Sequence, residues 1–310
     1  MKKKISFISP CYNESENIEE LISQVTNLWV MLDQYDFEFV IIDNASTDNT
    51  REILIEAARK DSRIKLIFNT RNFGHIRSPY WGLLQTTGDA SIYLASDLQD
   101  PPDKALEFIK IWEQGYKVVL GTKPVSKTSP VMHGFRKLYY HVLDSISNVP
   151  ITRDSTGFGL YDKVVIDELR RINDPYPFLR GLISEIGYQV VEVPFEQPRR
   201  MRGVSKNNIY TLYDIAILGL VSHSLVPIRL ATFFGFIVGG MSILAAIGAL
   251  AIKLLYWNTL PIGVAPIIIV MFFMFGIILL FIGILGEYIG SIHSYVQGRP
   301  IVVEEQRINF

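Results

Sequence analysis

The chain has 310 residues, a formal net charge of -1 and one cysteine. The near-neutral charge gives no general attraction to nucleic acid, so we predict no nucleic-acid partner. A lone cysteine excludes an intrachain disulfide and a cysteine-based metal cluster. Hydrophobic residues make up 49% of the chain, and they are concentrated in its C-terminal third. This asymmetry indicates a charged N-terminal domain followed by an apolar membrane segment.

Short apolar runs alternate with helical patterns along the first part of the chain. Strands are predicted at 5–9, 37–42, 64–68, 91–95 and 117–121. Helices are predicted at 15–32, 50–60, 75–85 and 103–114. This alternation predicts an α/β domain with a mostly parallel sheet and helices on both faces. In such sheets, ligands bind beyond the carboxyl ends of the strands.

Polar segments follow the first four predicted strands and should therefore meet at one edge of the sheet. These segments are 10–14, 43–48, 69–74 and 96–100. Asp, Asn and Ser at such positions also cap helices, and Ser46, Asp48 and Asp100 fit that simpler role. Acidic clusters in three of the segments favour a binding site over caps alone. The chain has neither a Gly-x-Gly-x-x-Gly fingerprint nor a P-loop sequence, which argues against a dinucleotide site.

Two long apolar runs predict a C-terminal transmembrane hairpin. Residues 230–252 carry no charge and 261–286 form the second run, and each could cross a hydrocarbon core of about 30 Å. Two buried helices of a soluble core are the simpler alternative, which the lack of amphipathic periodicity disfavours. Basic residues flank the hairpin on one side, at Arg199, Arg200, Arg202, Lys206, Arg229 and Arg299. The positive-inside rule therefore predicts a cytoplasmic N-terminal domain.

These patterns divide the chain into four parts. They are a cytoplasmic domain at 1–206, juxtamembrane amphipathic helices at 207–229, two transmembrane helices at 230–290 and a cytoplasmic tail at 291–310. The apolar spacing within 209–225 suits either the membrane interface or a plain core helix. The small residues Gly235, Gly239 and Gly240 would let helices of two copies approach closely, which would permit a homo-oligomer.

An ordered set of motifs resembles the family 2 glycosyltransferases of the GT-A type. The set is Pro-x-Tyr-Asn-Glu at 10–14, Asp-Asn-x-Ser-x-Asp at 43–48, Asn-x-Gly at 72–74, Asp-Leu-Gln-Asp-Pro-Pro at 97–102 and Arg-x-x-Gly-x-Ser-Lys at 200–206. More narrowly, the whole chain is similar to polyprenyl-phosphate glycosyltransferases, namely bactoprenol glucosyltransferases and dolichyl-phosphate mannose synthases. The resemblance implies a Rossmann-like GT-A domain with a two-helix membrane anchor, in the plasma membrane of a bacterium.

The resemblance also implies a site for the nucleotide of the sugar donor. Its expected residues are Pro10, Tyr12, Glu14, Asp43, Gly74 and Asp97. Carboxylates accept hydrogen bonds from ribose hydroxyls, and an aromatic ring stacks on a base. Relatives bind a divalent metal ion with an Asp-x-Asp segment, but Ala95 replaces the first Asp here. Asp97 and Gln99 are therefore the expected ligands of Mg²⁺ or Mn²⁺.

Basic residues are implied at the acceptor phosphate and the donor diphosphate. They are Lys123, Arg136, Arg200 and Lys206, together with Ser205. Attraction to lipid headgroups is the simpler alternative for the run at 199–206. Asp154 matches the acid that relatives place near the anomeric carbon. Because a phosphate monoester has a second pKa of about 6, we expect Asp154 to orient sugar and acceptor, with base catalysis left open.

The expected reaction is an inverting transfer of glucose from UDP-glucose to undecaprenyl or another polyprenyl phosphate. GDP-mannose and other UDP-sugars are alternative donors. A processive polysaccharide synthase is disfavoured because the chain has no Gln-x-x-Arg-Trp segment. A catalytically silent membrane scaffold of the same fold is the remaining alternative, and Ala95 is the sequence feature that favours it.

Overall fold

A computed structural model describes residues 2–123, 155–172, 174–198, 226–255 and 264–310. Within these ranges the strands are β1 (Lys4–Cys11), β2 (Asp36–Asp43), β3 (Ile64–Asn69), β4 (Ala90–Tyr93), β5 (Val118–Thr122), β6 (Ser155–Asp162), β7 (Val190–Pro194) and β8 (Glu304–Ile308). The helices are α1 (Ile18–Met31), α2 (Thr50–Lys60), α3 (Gly74–Leu84), α4 (Ala105–Glu113), α5 (Lys163–Ile172), α6 (Leu179–Ile186), α7 (Val226–Leu255) and α8 (Val264–Val296).

The strands form one sheet in the order β7-β5-β6-β4-β1-β2-β3-β8. Parallel pairing joins β4 to β1, β1 to β2, β2 to β3, and β5 to β7. The other pairings, which involve β6 and β8, are antiparallel. The predicted GT-A-type α/β fold with a mostly parallel sheet is confirmed. Because the four central strands run in the same direction, their carboxyl ends lie at one edge.

Helices cover both faces of the sheet, and each face has its own hydrophobic cluster. Phe7 and Phe39 pack on the face covered by α1, α2 and α4. Ile8 and Val40 pack on the other face, with side chains from α3, α5 and α6. Successive side chains of a strand point to opposite faces, so burial of both faces explains the continuous apolar runs in β1 and β2.

The C-terminal segment, treated above as a tail, takes part in the sheet. Strand β8 pairs antiparallel with β3 at the sheet edge. Just before it, Ile301 and Val302 are buried in the same cluster as Ile67. The sequence analysis missed β8 because a short edge strand rich in charged residues lacks the alternation that marks a half-buried strand. Residues 301–308 therefore pack with the N-terminal domain rather than forming a separate tail, while 291–296 are the last turns of α8.

Helices α7 and α8 have large apolar side chains on their exposed surfaces. Phe236 is 78% exposed and Phe273 is 67% exposed. Among the described residues, the stretch Phe273–Val296 is apolar and long enough to cross a membrane, judged by length and composition. The segments 207–225 and 256–263 lie outside the described residues, so the juxtamembrane helices and the hairpin turn stay predictions.

Candidate active site

Four loops follow the central strands β4, β1, β2 and β3 at their shared carboxyl edge. We call these loops, 10–14, 43–48, 69–74 and 95–100, the polar rim. The register aligns them, since Cys11 lies opposite Asp43, and Asp43 lies opposite Phe68. The polar rim therefore contains every predicted nucleotide and metal residue, namely Pro10, Tyr12, Glu14, Asp43, Gly74, Asp97 and Gln99.

The loops after β1 and β2 are joined by hydrogen bonds. Asn13 has a left-handed backbone, with φ of 56°, a conformation that asparagine tolerates better than most residues. Its backbone N–H donates to Ser46 Oγ at 2.8 Å. Its side-chain Oδ1 accepts from the backbone N–H of Thr47 at 2.7 Å. The two loops thus form one preorganised surface.

Asp43 lies at the centre of this surface and is 1% exposed. Its carboxylate accepts hydrogen bonds from the Ser46 hydroxyl and, at 3.1 Å, from the Ser46 backbone N–H. The Cys11 thiol also donates to it, at 3.7 Å. Burial raises the pKa of Asp43, although these hydrogen bonds oppose the effect. Burial and the neighbouring Asp43 likewise raise the pKa of the Cys11 thiol, which therefore stays protonated and unreactive.

Asp48 caps a helix and also joins two loops. Its Oδ1 accepts from the backbone N–H of Thr50, the first residue of α2, at 3.0 Å. Its Oδ2 accepts from the backbone N–H of Ser15 at 3.2 Å. Asp48 thus bonds to the first N–H of α2 from the position before the N-cap residue Asn49, whereas Ser46 bonds to Asp43 instead. Glu14, a predicted nucleotide residue, accepts from Asn17 Nδ2 at 2.7 Å.

A buried amide network that the sequence analysis missed joins the loops after β2 and β3. The Asn44 side chain donates to Asn72 Oδ1 at 2.9 Å and to the Gly74 carbonyl at 3.2 Å. It accepts from Asn69 Nδ2 at 3.1 Å and from the Phe73 backbone N–H at 2.9 Å. These bonds fix the Asn-x-Gly loop and the start of α3. Amide residues after two neighbouring strands were the available sequence signal.

The loop after β4, residues 95–100, contains the predicted metal ligands, and we call it the metal loop. Leu98 has a left-handed backbone, with φ of 59°. The backbone N–H of Gln99 donates to Asp97 Oδ1 at 3.1 Å. Asp100 closes the loop, because its Oδ2 accepts from the backbone N–H of Ala95 at 3.0 Å. The helix-capping interpretation of Asp100 was wrong, since its carboxylate turns back to the loop rather than to the following turn.

Asp100 is a buried acid with a perturbed pKa. Burial raises its pKa to about 6, and the negative charge of Asp97 acts in the same direction. The Ala95 N–H and the positive charge of Lys123 oppose the rise. Lys123 follows β5, which runs parallel to β4 in the sheet. Of the predicted acceptor residues, Lys123 is the one that lies among the described residues.

The donor set in this loop suits a hard cation that a phosphate-bearing substrate helps to bind. Among the described residues, no group of three or more His, Cys, Asp or Glu side chains could hold a metal ion. Asp97 and Gln99 offer one carboxylate and one amide oxygen, so phosphate oxygens would have to complete the shell. The predicted residues Asp154, Arg136, Arg200, Ser205 and Lys206 lie outside the described residues.

A cavity of about 160 Å³ adjoins the polar rim. Its lining includes His75, Tyr93, Gly157, Phe178 and Arg180. Tyr93 ends β4 just before the loop that contains Asp97, and Gly157 follows the predicted acid at 154. The cavity combines aromatic surface with polar groups, as small-molecule sites do.

Comparisons with known proteins identify the family. The profile of glycosyl transferase family 2 matches residues 6–170. The chain is 32% identical over 301 residues to the putative glycosyltransferase CsbB of Bacillus subtilis (strain 168), covering 96% of this chain and 89% of that protein. It is 30% identical over 298 residues to the bactoprenol glucosyl transferase of Shigella phage SfX, covering 96% and 97%. The chain therefore belongs to glycosyl transferase family 2, and it is a glycosyltransferase.

A solved structure with a related arrangement is the mannosyltransferase PcManGT from Pyrobaculum calidifontis, in complex with GDP-Man and Mn²⁺. The TM-score is 0.48 at 17% sequence identity, and the match covers 96% of this chain and 87% of that one.

Proposed function

We propose that the protein transfers glucose from UDP-glucose to a polyprenyl phosphate, with inversion, at the cytoplasmic face of a bacterial plasma membrane. The observation that carries this proposal is the polar rim, a preorganised acidic surface at the carboxyl edge of four parallel strands. The likeness to a bactoprenol glucosyl transferase over nearly the whole chain supports the acceptor class.

The nucleotide would bind across the joined loops after β1 and β2. Asp43 is held in place by Ser46 and is almost fully buried, so a small opening of the loops would let its carboxylate accept from a ribose hydroxyl or a base N–H. Pro10 and Tyr12 border the same surface and would contact the base, while Glu14 and Gly74 lie at its margins. A site that is fixed before binding loses less entropy when the nucleotide arrives.

A divalent Mg²⁺ or Mn²⁺ ion would be held by Asp97 and Gln99 together with the donor diphosphate. Both side chains offer oxygen ligands, which suits these ions. The bound ion would neutralise the negative charge that builds on the leaving diphosphate. With Ala95 in the loop and the buried Asp100 bonded back to the Ala95 N–H, Asp97 would be the one carboxylate ligand of the ion there, so we expect the nucleotide and the metal ion to bind interdependently.

The acceptor phosphate is already largely ionised at neutral pH, so the chain has mainly to position it. Lys123 near the metal loop, with Arg136, Arg200, Ser205 and Lys206, would bind the acceptor phosphate and the diphosphate. Asp154 would orient the sugar towards the acceptor. The cavity beside Tyr93 is the proposed place for the sugar ring, because its lining includes Tyr93 at the end of β4 and Gly157 of β6.

The apolar helices explain how the enzyme would reach its acceptor. A polyprenyl chain stays in the bilayer, so transfer must occur at the headgroup plane. Lipid would cover the exposed apolar surfaces of α7 and α8. The proposed transmembrane anchor would then hold the polar rim close to the headgroup plane.

The function can be tested with the full-length protein in detergent, UDP-[¹⁴C]glucose, undecaprenyl phosphate and Mg²⁺. We expect a labelled lipid product that EDTA abolishes and that Mn²⁺ restores. A panel of other UDP-sugars and GDP-mannose would identify a different donor. Absence of product with every donor, and of UDP release, would favour the silent scaffold that Ala95 suggests.

Asp97→Asn tests the metal assignment, with Asp103→Asn at an exposed position as the matched control. Loss of the one proposed carboxylate ligand of the metal ion should lower kcat/KM by about a hundredfold or more, since such charge stabilisation is worth several kcal/mol. The control should stay within about twofold of the wild type. Full activity of Asp97→Asn would refute the assignment.

A further inference from the structure

Three arginines converge at the end of the polar rim away from the metal loop, where Arg71 belongs to the rim loop at 69–74. Arg71 follows β3, Arg77 lies in the first turn of α3, and Arg299 follows the end of α8. We call these residues the arginine cluster. They come from distant parts of the sequence, so the fold rather than local sequence brings them together.

Contacts around one aromatic ring define the geometry of the cluster. The guanidinium carbons of Arg71 and Arg77 lie 4.0 Å and 5.4 Å from the centroid of the Phe73 ring. Arg77 Nη2 donates to the carbonyl of Pro300 at 2.6 Å, next to Arg299. The C-terminal segment thus lies directly against the two arginines at the start of α3.

The cluster has unbalanced positive charge. Among the described residues, none of the three arginines forms an ion pair with a carboxylate. Burial lowers the pKa of Arg77, and the positive charges of Arg71 and Arg299 act in the same direction, while Tyr176 opposes them. The Nε of Arg77 is buried without a hydrogen-bond partner. The positive end of the α3 dipole is nearby and has no acidic residue in its first turn. A bound anion would offset the mutual repulsion of the three positive charges and would suit the positive end of the α3 dipole.

The position of the cluster indicates where the anion comes from. The apolar stretch Phe273–Val296 ends three residues before Arg299. The end of α8 is fixed to the domain, since the Tyr295 hydroxyl donates to the buried Asp174 carboxylate at 2.8 Å. If α8 crosses the bilayer, as proposed above, the cluster lies on the domain side of the membrane, near the lipid headgroups.

The cluster lies too far from Lys123 to serve the same phosphate. Lys123 follows β5 and Arg71 follows β3, and the order β5-β6-β4-β1-β2-β3 separates them by five steps. At about 4.8 Å a step, the two strand ends are roughly 24 Å apart.

We propose that the arginine cluster binds the phosphate of an anionic phospholipid headgroup, at a site distinct from the acceptor site. The site goes beyond the transfer reaction and can be tested without it. The headgroup would bridge the end of α8 and the start of α3. The Phe73 backbone N–H donates to Asn44, so binding of the headgroup beside Phe73 would also stabilise the loop at 69–74.

The test is thermal unfolding of the full-length protein in a neutral detergent, titrated with dioctanoyl phosphatidylglycerol. Dioctanoyl phosphatidylcholine and inorganic phosphate serve as the other probes. The variant is Arg71→Gln with Arg299→Gln, since both side chains are exposed. Arg59→Gln, exposed at the end of α2, is the matched control. We expect phosphatidylglycerol to raise the melting temperature of wild type and control, and the double variant to need about tenfold more lipid for the same rise.

Three results would overturn the proposal. They are an equal response of the double variant and the wild type, an equal response to phosphatidylcholine, and a full response to inorganic phosphate at the same concentration. The last would indicate a site for soluble phosphate. The double variant is unsuitable if, without lipid, it already melts well below the wild type. The single variant Arg71→Gln then replaces it in the titration, because the Arg71 side chain donates a hydrogen bond only to the carbonyl of Asn72. None of these readouts needs a sugar donor, so a failed transfer assay would leave them intact.

Discussion

Asn44→Ala tests whether the buried amide network holds the polar rim together. The Asn44 side chain makes four hydrogen bonds, to Asn72, Gly74, Asn69 and Phe73. A net value of about 1 kcal/mol for each gives a loss of about 4 kcal/mol, since alanine also leaves buried donors without partners. This loss is a large fraction of the 5–15 kcal/mol that stabilises a typical domain.

The assay is thermal unfolding in detergent, followed by intrinsic fluorescence. At about 2–4 °C for each kcal/mol, we expect the midpoint to fall by roughly 10 °C. The matched control is Asn27→Ala, which makes the same chemical change at an exposed position of α1. It should shift the midpoint by less than about 2 °C, because exposed substitutions change stability little.

A second readout separates the network's effect on the site from its effect on stability. Loosening of the loop at 69–74 should weaken inhibition by UDP about tenfold, at a temperature where the variant is still folded. An Asn44→Ala midpoint equal to that of the control would refute the reasoning. If Asn44→Ala lowers the midpoint but leaves inhibition by UDP unchanged, the network stabilises the fold without affecting nucleotide binding.

Two further changes test buried carboxylates. Glu38 accepts from Lys4 and Lys65, and its hydrogen bonds lower its pKa from 4.5 to about 2 despite burial. The depressed pKa means that its stabilisation, about 3 kcal/mol, is complete above pH 4.5 and is lost as the pH falls towards 2. Glu38→Gln should therefore melt well below the wild type at pH 7 and approach it at pH 3, and a pH-independent gap would contradict this. Asp100→Ala removes the acceptor of the Ala95 N–H and should raise the Mg²⁺ concentration for half-maximal activity about tenfold. An unchanged response to Mg²⁺ would contradict a role of Asp100 in holding this loop.

The central strands could be predicted because they are buried on both faces. Each of β1, β2 and β3 appears in the sequence as a short apolar run between polar turns, and the observed bounds agree with the predicted ones within about two residues. Helix α2 begins and ends where predicted, because Asp48 marks its start and basic residues mark its end.

Strand β6 could not be predicted by the same rules. Its sequence contains Gly157 and Gly159, and glycine weakens the signal for a strand. A Cβ at position 159 would lie 2.3 Å from the carbonyl of Val119 on β5. Glycine is required there by close packing between strands, and that requirement is visible only once the pairing is known.

The candidate site also has a part that the sequence predicts and a part that it does not. The loops that form the polar rim follow from strand order, so Asp43 and Asp97 could be placed at one edge from sequence alone. The roles of Asn44 and Asp100 depend on which backbone groups face them. Both look like turn residues in sequence, and both bond to neighbouring loops or back to their own loop in the structure.

The C-terminal segment links the apolar helix to the polar rim through contacts that sequence spacing hides. After α8, the carbonyl of Pro300 accepts from Arg77, and the carbonyl of Val303 accepts from the backbone N–H of Thr70. Strand β8 then pairs with β3, whose end leads into the rim. Because α3 and β3 are both fixed to this segment, a displacement of α8 must be transmitted to the loop at 69–74 or break these bonds. Helix α8 and the polar rim are therefore mechanically coupled, which would suit the proposed transfer to an acceptor that stays in the bilayer.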